Sequence, residues 1–374
     1  MTARCDWGFT CNLYSYKAKR TQRCIFFLML TLALLGDNPY LVAQSSSAPA
    51  ESIENARALM ALNQLTQANE MLATIVSRDP HNLTAWEVLG EVQLAQSLND
   101  DAMKSFEAVL KVHSDSLKAQ DGEVRAAIAA ALADRAAGNS NRALACLLRA
   151  RGYIPNSVEL LIDFGIQADS MQIYKDADDA LTEAHRLEPQ NEKALYALAH
   201  VELDEQKMGE AEANLRAYLK IRDDDASAHY GLGHLLYMLS KDEEAKVQLE
   251  RSVALQPHQT ESYYELGQIA LDSHDNATAK ENYAKVLASA PNHGGALTGM
   301  GVLAFRAKDY TTAESFLKQA IAYAPEYVTA HRYYAMTLAR LGHEEQAQRE
   351  SAIAQELTEQ QNKLQHGYTL RSIP

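Results

Sequence analysis

An alanine returns every 34 residues along most of this chain. It stands at Ala68, Ala102, Ala143, Ala177, Ala211, Ala245, Ala279, Ala313 and Ala347, and every step is 34 except one of 41. Twelve residues before each lies another small residue: Ala56, Gly90, Ala131, Gly165, Ala199, Gly233, Gly267, Gly301 and Ala335. Four residues after it comes a large apolar side chain in eight cases, Leu72, Phe106, Leu147, Leu181, Leu215, Leu249, Tyr283 and Leu317, with Ser351 in the ninth. Three series locked over nine units are the mark of a repeat array. A single unit cannot bury its own apolar face, but a stack of them can.

The period also says what each unit is. Every unit holds two stretches of helical apolar periodicity, such as "TAWEVLGEVQLAQ" and "DDAMKSFEAVLKVH", which predicts a helical hairpin. Small residues at the two locked slots let the helix axes approach, and each receives a large side chain from its neighbour. Pro80, Pro155, Pro189, Pro257, Pro291 and Pro325 follow second stretches, and Ser114 and Asp223 fill the two intervening slots. Proline stops a helix because its ring forbids continuation.

"AWEVLGEVQLAQ", with Trp86, Leu89 and Gly90, and "SYYELGQIALDS", with Tyr263, Leu266 and Gly267, resemble the tetratricopeptide repeat family. The resemblance covers about residues 51–360. It implies an all-α fold, a right-handed α-α superhelix of nine hairpins at 49–82, 83–116, 117–157, 158–191, 192–225, 226–259, 260–293, 294–327 and 328–361. The strict 34-residue step separates it from pentatricopeptide and Sel1-type arrays. The third unit carries seven extra residues, close to two helical turns. "SLKAQDGEVRAAIAAALADRAAG" therefore reads as a longer first helix, or as a loop around Asp121 and Gly122. With no proline after Ala347, the last helix is expected to run to about Gln365 and to cap the stack with polar residues, leaving a C-terminal tail over 361–374.

The first 44 residues read differently. Lys17, Lys19, Arg20 and Arg23 precede the 12-residue apolar run Ile25 to Gly36, and "LVAQSSSAPA" follows. The run is short for a membrane span of about 20 residues and suits a signal-peptide core. Cleavage is expected near Ala43 or Gln44, followed by a flexible linker over 45–51; the alternative is an uncleaved anchor, with membrane contact only through 24–43. Either way the body is expected outside the cytoplasm, periplasmic or secreted. Cys5, Cys11 and Cys24 lie in this segment, so its removal leaves Cys146 without an intramolecular disulfide partner.

Net charge narrows the partner class. The chain carries −14, to which residues 1–44 add +3 (five cations against two carboxylates), leaving −17 on the rest. Phosphate backbones attract basic surfaces, so nucleic acid is not an expected partner. No Gly-x-Ser-x-Gly, Walker or His-Glu-x-x-His motif occurs, and no stretch outside the repeats could hold a catalytic domain. The chain is read as a non-enzyme without cofactor or metal.

In tetratricopeptide proteins the first helices line the concave face. The resemblance carries that face onto Tyr196, Tyr230 and Tyr264, and one turn along onto His200, His234 and Gln268. Tyr237 and Phe305 lie a further turn down, and Arg332, Met336 and Arg340 continue the face in the last unit. Ile162, Ile166, Glu87 and Glu91 hold corresponding earlier slots. Tyrosine suits an interface because it offers large amphipathic area at low entropy cost, yet the same tyrosines could simply pack between first helices. The lysine and asparagine clamp of chaperone-binding members is absent from these slots. A protein scaffold of the cell envelope is the leading expectation, and a polysaccharide-handling subunit of an export system is the alternative.

Overall fold

The computed structural model describes residues 52–371, and side chains through residue 363. Among the described residues there are eighteen helices and no strand. They form nine hairpins: α1 (Ile53–Ala61) with α2 (Leu65–Arg78), α3 (Leu83–Ala95) with α4 (Asn99–Leu110), α5 (Leu117–Ala136) with α6 (Ser140–Arg151), α7 (Val158–Ser170) with α8 (Tyr174–Leu187), α9 (Glu192–Asp204) with α10 (Met208–Ile221), α11 (Ala226–Met238) with α12 (Asp242–Leu255), α13 (Thr260–Asp272) with α14 (Asn276–Ser289), α15 (Gly294–Arg306) with α16 (Tyr310–Tyr323), and α17 (Val328–Leu341) with α18 (Glu344–Arg371). The segments read as export signal and linker lie outside the described residues. No described helix is long and apolar enough to cross a membrane.

The locked series are the core. The alanines of the first series are fully buried from Ala68 through Ala313, and Leu72, Leu147, Leu181, Leu249, Tyr283 and Leu317 are buried to the same extent. A Cβ built on Gly165 would fall 2.4 Å from Leu181, and one on Gly301 2.6 Å from Leu317. In these hairpins the large side chain of the second helix thus rests on the small residue of its own first helix. Where that side chain is aromatic, a second glycine receives its far side. Phe106 would meet a Cβ on Gly90 at 2.6 Å and one on Gly122, in the next first helix, at 2.4 Å. Tyr283 stands likewise between Gly267 at 2.6 Å and Gly299 at 2.4 Å.

This settles where the seven extra residues of the third unit go. α5 has 20 residues where α3 and α7 have 13, and Gly122 lies inside it as the seat of Phe106. There is no loop at Asp121 and Gly122. The far end also differs from the sequence reading. α18 runs to Arg371, so most of the expected tail is helix. It contains no proline and one glycine, Gly367, and a glycine costs a helix about 1 kcal/mol, too little to end it.

The turns inside the hairpins repeat with the same period. Asn63, Ser97, Gln172, Gln206, Ser240, His274 and Lys308 adopt positive φ, as do Gly138 and Gly342. Capping repeats too. Ser157, Asn191 and Asp225, 34 residues apart, each accept a backbone N–H at the start of a first helix. A third repeated bond ties unit to unit. Trp86 donates its indole N–H to the Pro80 carbonyl at 3.0 Å, and His331 places Nε2 2.8 Å from the Pro325 carbonyl. His229 stands 3.2 Å from the Asp223 carbonyl in the same way. These aromatic slots satisfy carbonyls left open where the preceding second helix ends.

Successive first helices touch one another at α1–α3, α3–α5, α5–α7, α7–α9, α11–α13, α13–α15 and α15–α17, and second helices make no comparable contact among the described residues. The more closely spaced row is the inside of the curve. First helices therefore line the concave face of the superhelix.

Two sets of substitutions test this packing. Gly122→Ala and Gly299→Ala place a methyl group against a ring that is held on both sides, and each should cost about 1–3 kcal/mol in denaturant unfolding. Gly209→Ala, where nothing lies within 4 Å, should instead stabilise by about 0.5–1 kcal/mol through helix propensity. Glu123 supplies the second test. It is fully buried with both carboxylate oxygens lacking a hydrogen bond. Burial and then the neighbouring Glu107 push its carboxyl up to about 8. A carboxyl raised from 4.5 to about 8 removes stability as pH rises through that window, because the unfolded chain ionises first. Glu123→Gln should therefore gain stability relative to wild type between pH 4.5 and 8, read by melting curves across pH.

Candidate functional site

The inner row is set by the repeat register. Positions 128, 162, 196, 230, 264, 298 and 332 follow one another at 34 residues on successive first helices, and carry Ile128, Ile162, Tyr196, Tyr230, Tyr264, Thr298 and Arg332. One turn along lie Leu132, Ile166, His200, His234, Gln268, Val302 and Met336. The sequence-derived residues thus do share one face, but they do not share one environment.

Tyr264 is a packing residue. A Cβ on Gly295 would meet its ring at 2.7 Å, so the ring lies against the backbone of α15. Its ring centroid is 4.8 Å from that of His293. Gln268 donates to its oxygen at 2.5 Å, the Tyr283 hydroxyl donates to Gln268 Oε1 at 3.0 Å, and the Tyr327 hydroxyl stands 3.2 Å away. Burial raises the Tyr264 hydroxyl pKa far above its ordinary value. Tyr196 is half-buried against Tyr218, with ring centroids 4.9 Å apart, and burial pushes its hydroxyl up to about 12. The Tyr218 hydroxyl in turn donates to Asp225 at 2.7 Å. Tyr230 stacks on His234 at 6.0 Å and is half-buried.

Farther along the row the face opens. The Tyr237 hydroxyl donates to Asp272 at 3.0 Å. Phe305 sits edge-on to Tyr310 and Tyr333 at 5.6 and 5.7 Å. Arg332, Met336 and Arg340 of α17 are exposed. Toward the other end, where Ile128 and Ile162 hold the row, the face widens into a cleft of about 910 Å³ bounded by the α8–α9 loop.

Four residues important here were not singled out from sequence: Tyr218, Asp225, Glu265 and Tyr327. Asp225, His293 and Tyr327 occupy the slot that precedes a first helix, at spacings of 68 and 34 residues. The period that gave the tyrosine ladder therefore contained a signal for three of its partners. Glu265 pairs with His234 and is itself buried. Among the described residues no group of three or more His, Cys, Asp or Glu side chains could hold a metal ion.

The tetratricopeptide repeat profile matches residues 53–116, 196–259 and 264–322, and a second profile of the same description matches 304–363. The chain belongs to the tetratricopeptide repeat family. Among solved structures it is similar to the pilF protein of Pseudomonas aeruginosa, at 19% identity and TM-score 0.52, over 58% of this chain and 99% of that one. It is also similar to YrrB, described as a TPR protein with an unusual peptide-binding site, at 22% identity and TM-score 0.44, over 49% and 95%. A third is the APC/C assembly Cut9-Hcn1, at 16% identity and TM-score 0.45, over 79% and 58%. No curated protein matches the chain. At these identities the likeness is one of fold, and the tetratricopeptide repeat assignment rests on the profile.

Two histidines one repeat apart give the face a pH signature of opposite signs. The hydrogen bond that His234 donates to the Glu265 carboxylate raises it above its ordinary value of 6.5. Burial lowers His200 below the same value. The stability that His234 contributes is complete below pH 6.5 and is lost as pH rises through its raised folded value. The His200 penalty appears as pH falls below 6.5. NMR titration should find His234 above 6.5 and His200 below it, and Glu265→Gln should bring the His234 midpoint down without moving that of His200. Equal midpoints in the wild type would contradict the geometry.

Proposed function

We propose that this tetratricopeptide repeat chain is a non-enzymatic scaffold that holds a partner polypeptide on its concave face, outside the cytoplasm. The observation that supports it is the inner row. First helices turn one continuous face inward, and parts of that face, at Ile166 and from Arg332 to Arg340, are uncovered in a family built to hold other chains. The acidic body argues against nucleic acid as the partner, and the sequence carries no catalytic motif. Sugar stacking needs open aromatic faces. Tyr196 and Tyr264 give theirs to Tyr218, His293 and the α15 backbone, which favours polypeptide over polysaccharide. The proposed site comprises Tyr230, His234, Tyr237, Phe305, Arg332, Met336 and Arg340, with Tyr196, His200, Tyr264 and Gln268 supporting it.

A photo-crosslinking amino acid placed at Arg332 or Ile166 in the full chain, expressed in its own cell, should trap a polypeptide. The same group on the outer face, at Glu250, should trap none. Crosslinks confined to Glu250, or to glycan, would reject the reading. The extracytoplasmic placement rests on the cationic flank and apolar run of residues 17–36. It predicts a mature N-terminus near Ser45, and an N-terminus at residue 1 after membrane fractionation would instead mark an anchor.

A further inference from the structure

The inner row changes chemistry between the fourth and fifth hairpins. Where later repeats carry tyrosine, the earlier ones carry Ile128 and Ile162 at the floor of the 910 Å³ cleft. Ile221, at the end of α10, closes one side and is 44% exposed. One turn along α5 and α7, on the same helix faces, Leu132 is 48% exposed and Ile166 41%. Ile162 itself is buried, at 4% exposure, so the open aliphatic surface is that of Leu132, Ile166 and Ile221. This stretch therefore leaves aliphatic surface open inside a concave wall, and contiguous apolar surface with a polar rim marks a binding site.

The rim has one dominant sign. Glu159, Asp163, Glu188 and Glu192 line the cleft, with Lys193 as the one cation in its lining. Two of the carboxylates have partners just outside it. Arg135 donates to Asp163 at 3.1 Å, and Arg222 lies 3.5 Å from Glu192. Glu188 accepts only the neutral amide of Asn191, at 2.7 Å, and both it and Glu159 are exposed. Glu159 and Glu188 therefore present uncompensated charge beside the aliphatic floor, within a body that carries −17 beyond residue 44. A wall of one sign attracts and orients segments of the other sign and repels its own.

We propose that the cleft between the third and fifth hairpins seats an aliphatic segment of a partner polypeptide flanked by lysine or arginine. The proposal rests on the scaffold reading and adds the place and the chemistry of what is held. The aliphatic side chains cover Leu132, Ile166 and Ile221, and the flanking cations meet Glu159 and Glu188. An acidic or phosphorylated segment is excluded by the same carboxylates. Tyr196 and Tyr264, beyond the cleft, then serve chiefly to hold the superhelix in the curvature that shapes it.

The test is fluorescence anisotropy with the full chain and three dye-labelled synthetic peptides: a leucine–isoleucine core with lysine flanks, the same core with glutamate flanks, and lysine flanks on a serine core. The lysine-flanked aliphatic peptide should bind, and binding should weaken as salt rises. Glu159→Lys with Glu188→Lys should weaken it on the order of tenfold or more, and Ile166→Ser should weaken it with the salt dependence unchanged. A matched reversal on the distant hairpins, Glu326→Lys with Glu344→Lys, should leave it as in wild type, with circular dichroism melting confirming that every variant folds. The proposal is overturned if the aliphatic, lysine-flanked peptide does not bind. It is equally overturned if the serine-core or glutamate-flanked peptide binds as tightly, or if the distant reversal has the same effect as the local one. Crosslinking of a polypeptide at Arg332 alongside any of those results keeps the scaffold reading and removes this one. Failure of both experiments removes both.

Discussion

The structure depends on one recurring contact: a large side chain of the second helix resting on a small residue of the first. Phe106 on Gly90, Leu181 on Gly165, Leu249 on Gly233, Tyr283 on Gly267 and Leu317 on Gly301 are instances of it. The wedge closes each hairpin, and across hairpins successive first helices come close to one another while second helices stay apart. The stack curves accordingly, and the inward direction of every first-helix side chain follows. Where the wedge grows from leucine to an aromatic, the next first helix gives up a Cβ as well, at Gly122 and Gly299. Packing at near-crystalline density leaves little other way to admit a ring.

That contact was legible in the amino-acid sequence because it is periodic and depends on size, and size is read directly from residue type. The turn geometry was not legible, although it is equally periodic. Five of the nine residues at positive φ, Ser97, Gln172, Gln206, Ser240 and Lys308, are types that do not announce that conformation. The neighbouring helices hold the turn in place of a glycine preference. The end of α18 was missed for the converse reason: the expected stop rested on distance from the last repeat, and the residues there carry no strong helix breaker.

The candidate site was legible as a face and not as a set of exposures. A repeat duplicates packing and binding positions alike, so Tyr196, Tyr230 and Tyr264 form a ladder in either case. What decides between the roles is the residue opposite. Gly295 lets Tyr264 lie against the α15 backbone, and Tyr218 covers Tyr196. Around Leu132 and Ile166 the wall stays open, beside a cleft whose carboxylates no period marks. The ladder and the cleft are thus two uses of one slot, separated by their neighbours.

The central claim is that the row brought together by the small-residue wedge is the surface that holds the partner. Hydrogen exchange of the full chain, with and without the polypeptide trapped by crosslinking, tests it most directly. Slowed exchange should concentrate in first helices, above all α5, α7 and the α8–α9 loop, with α4, α6 and α8 unchanged. Slowed exchange confined to second helices would place the partner on the outer face and contradict the account.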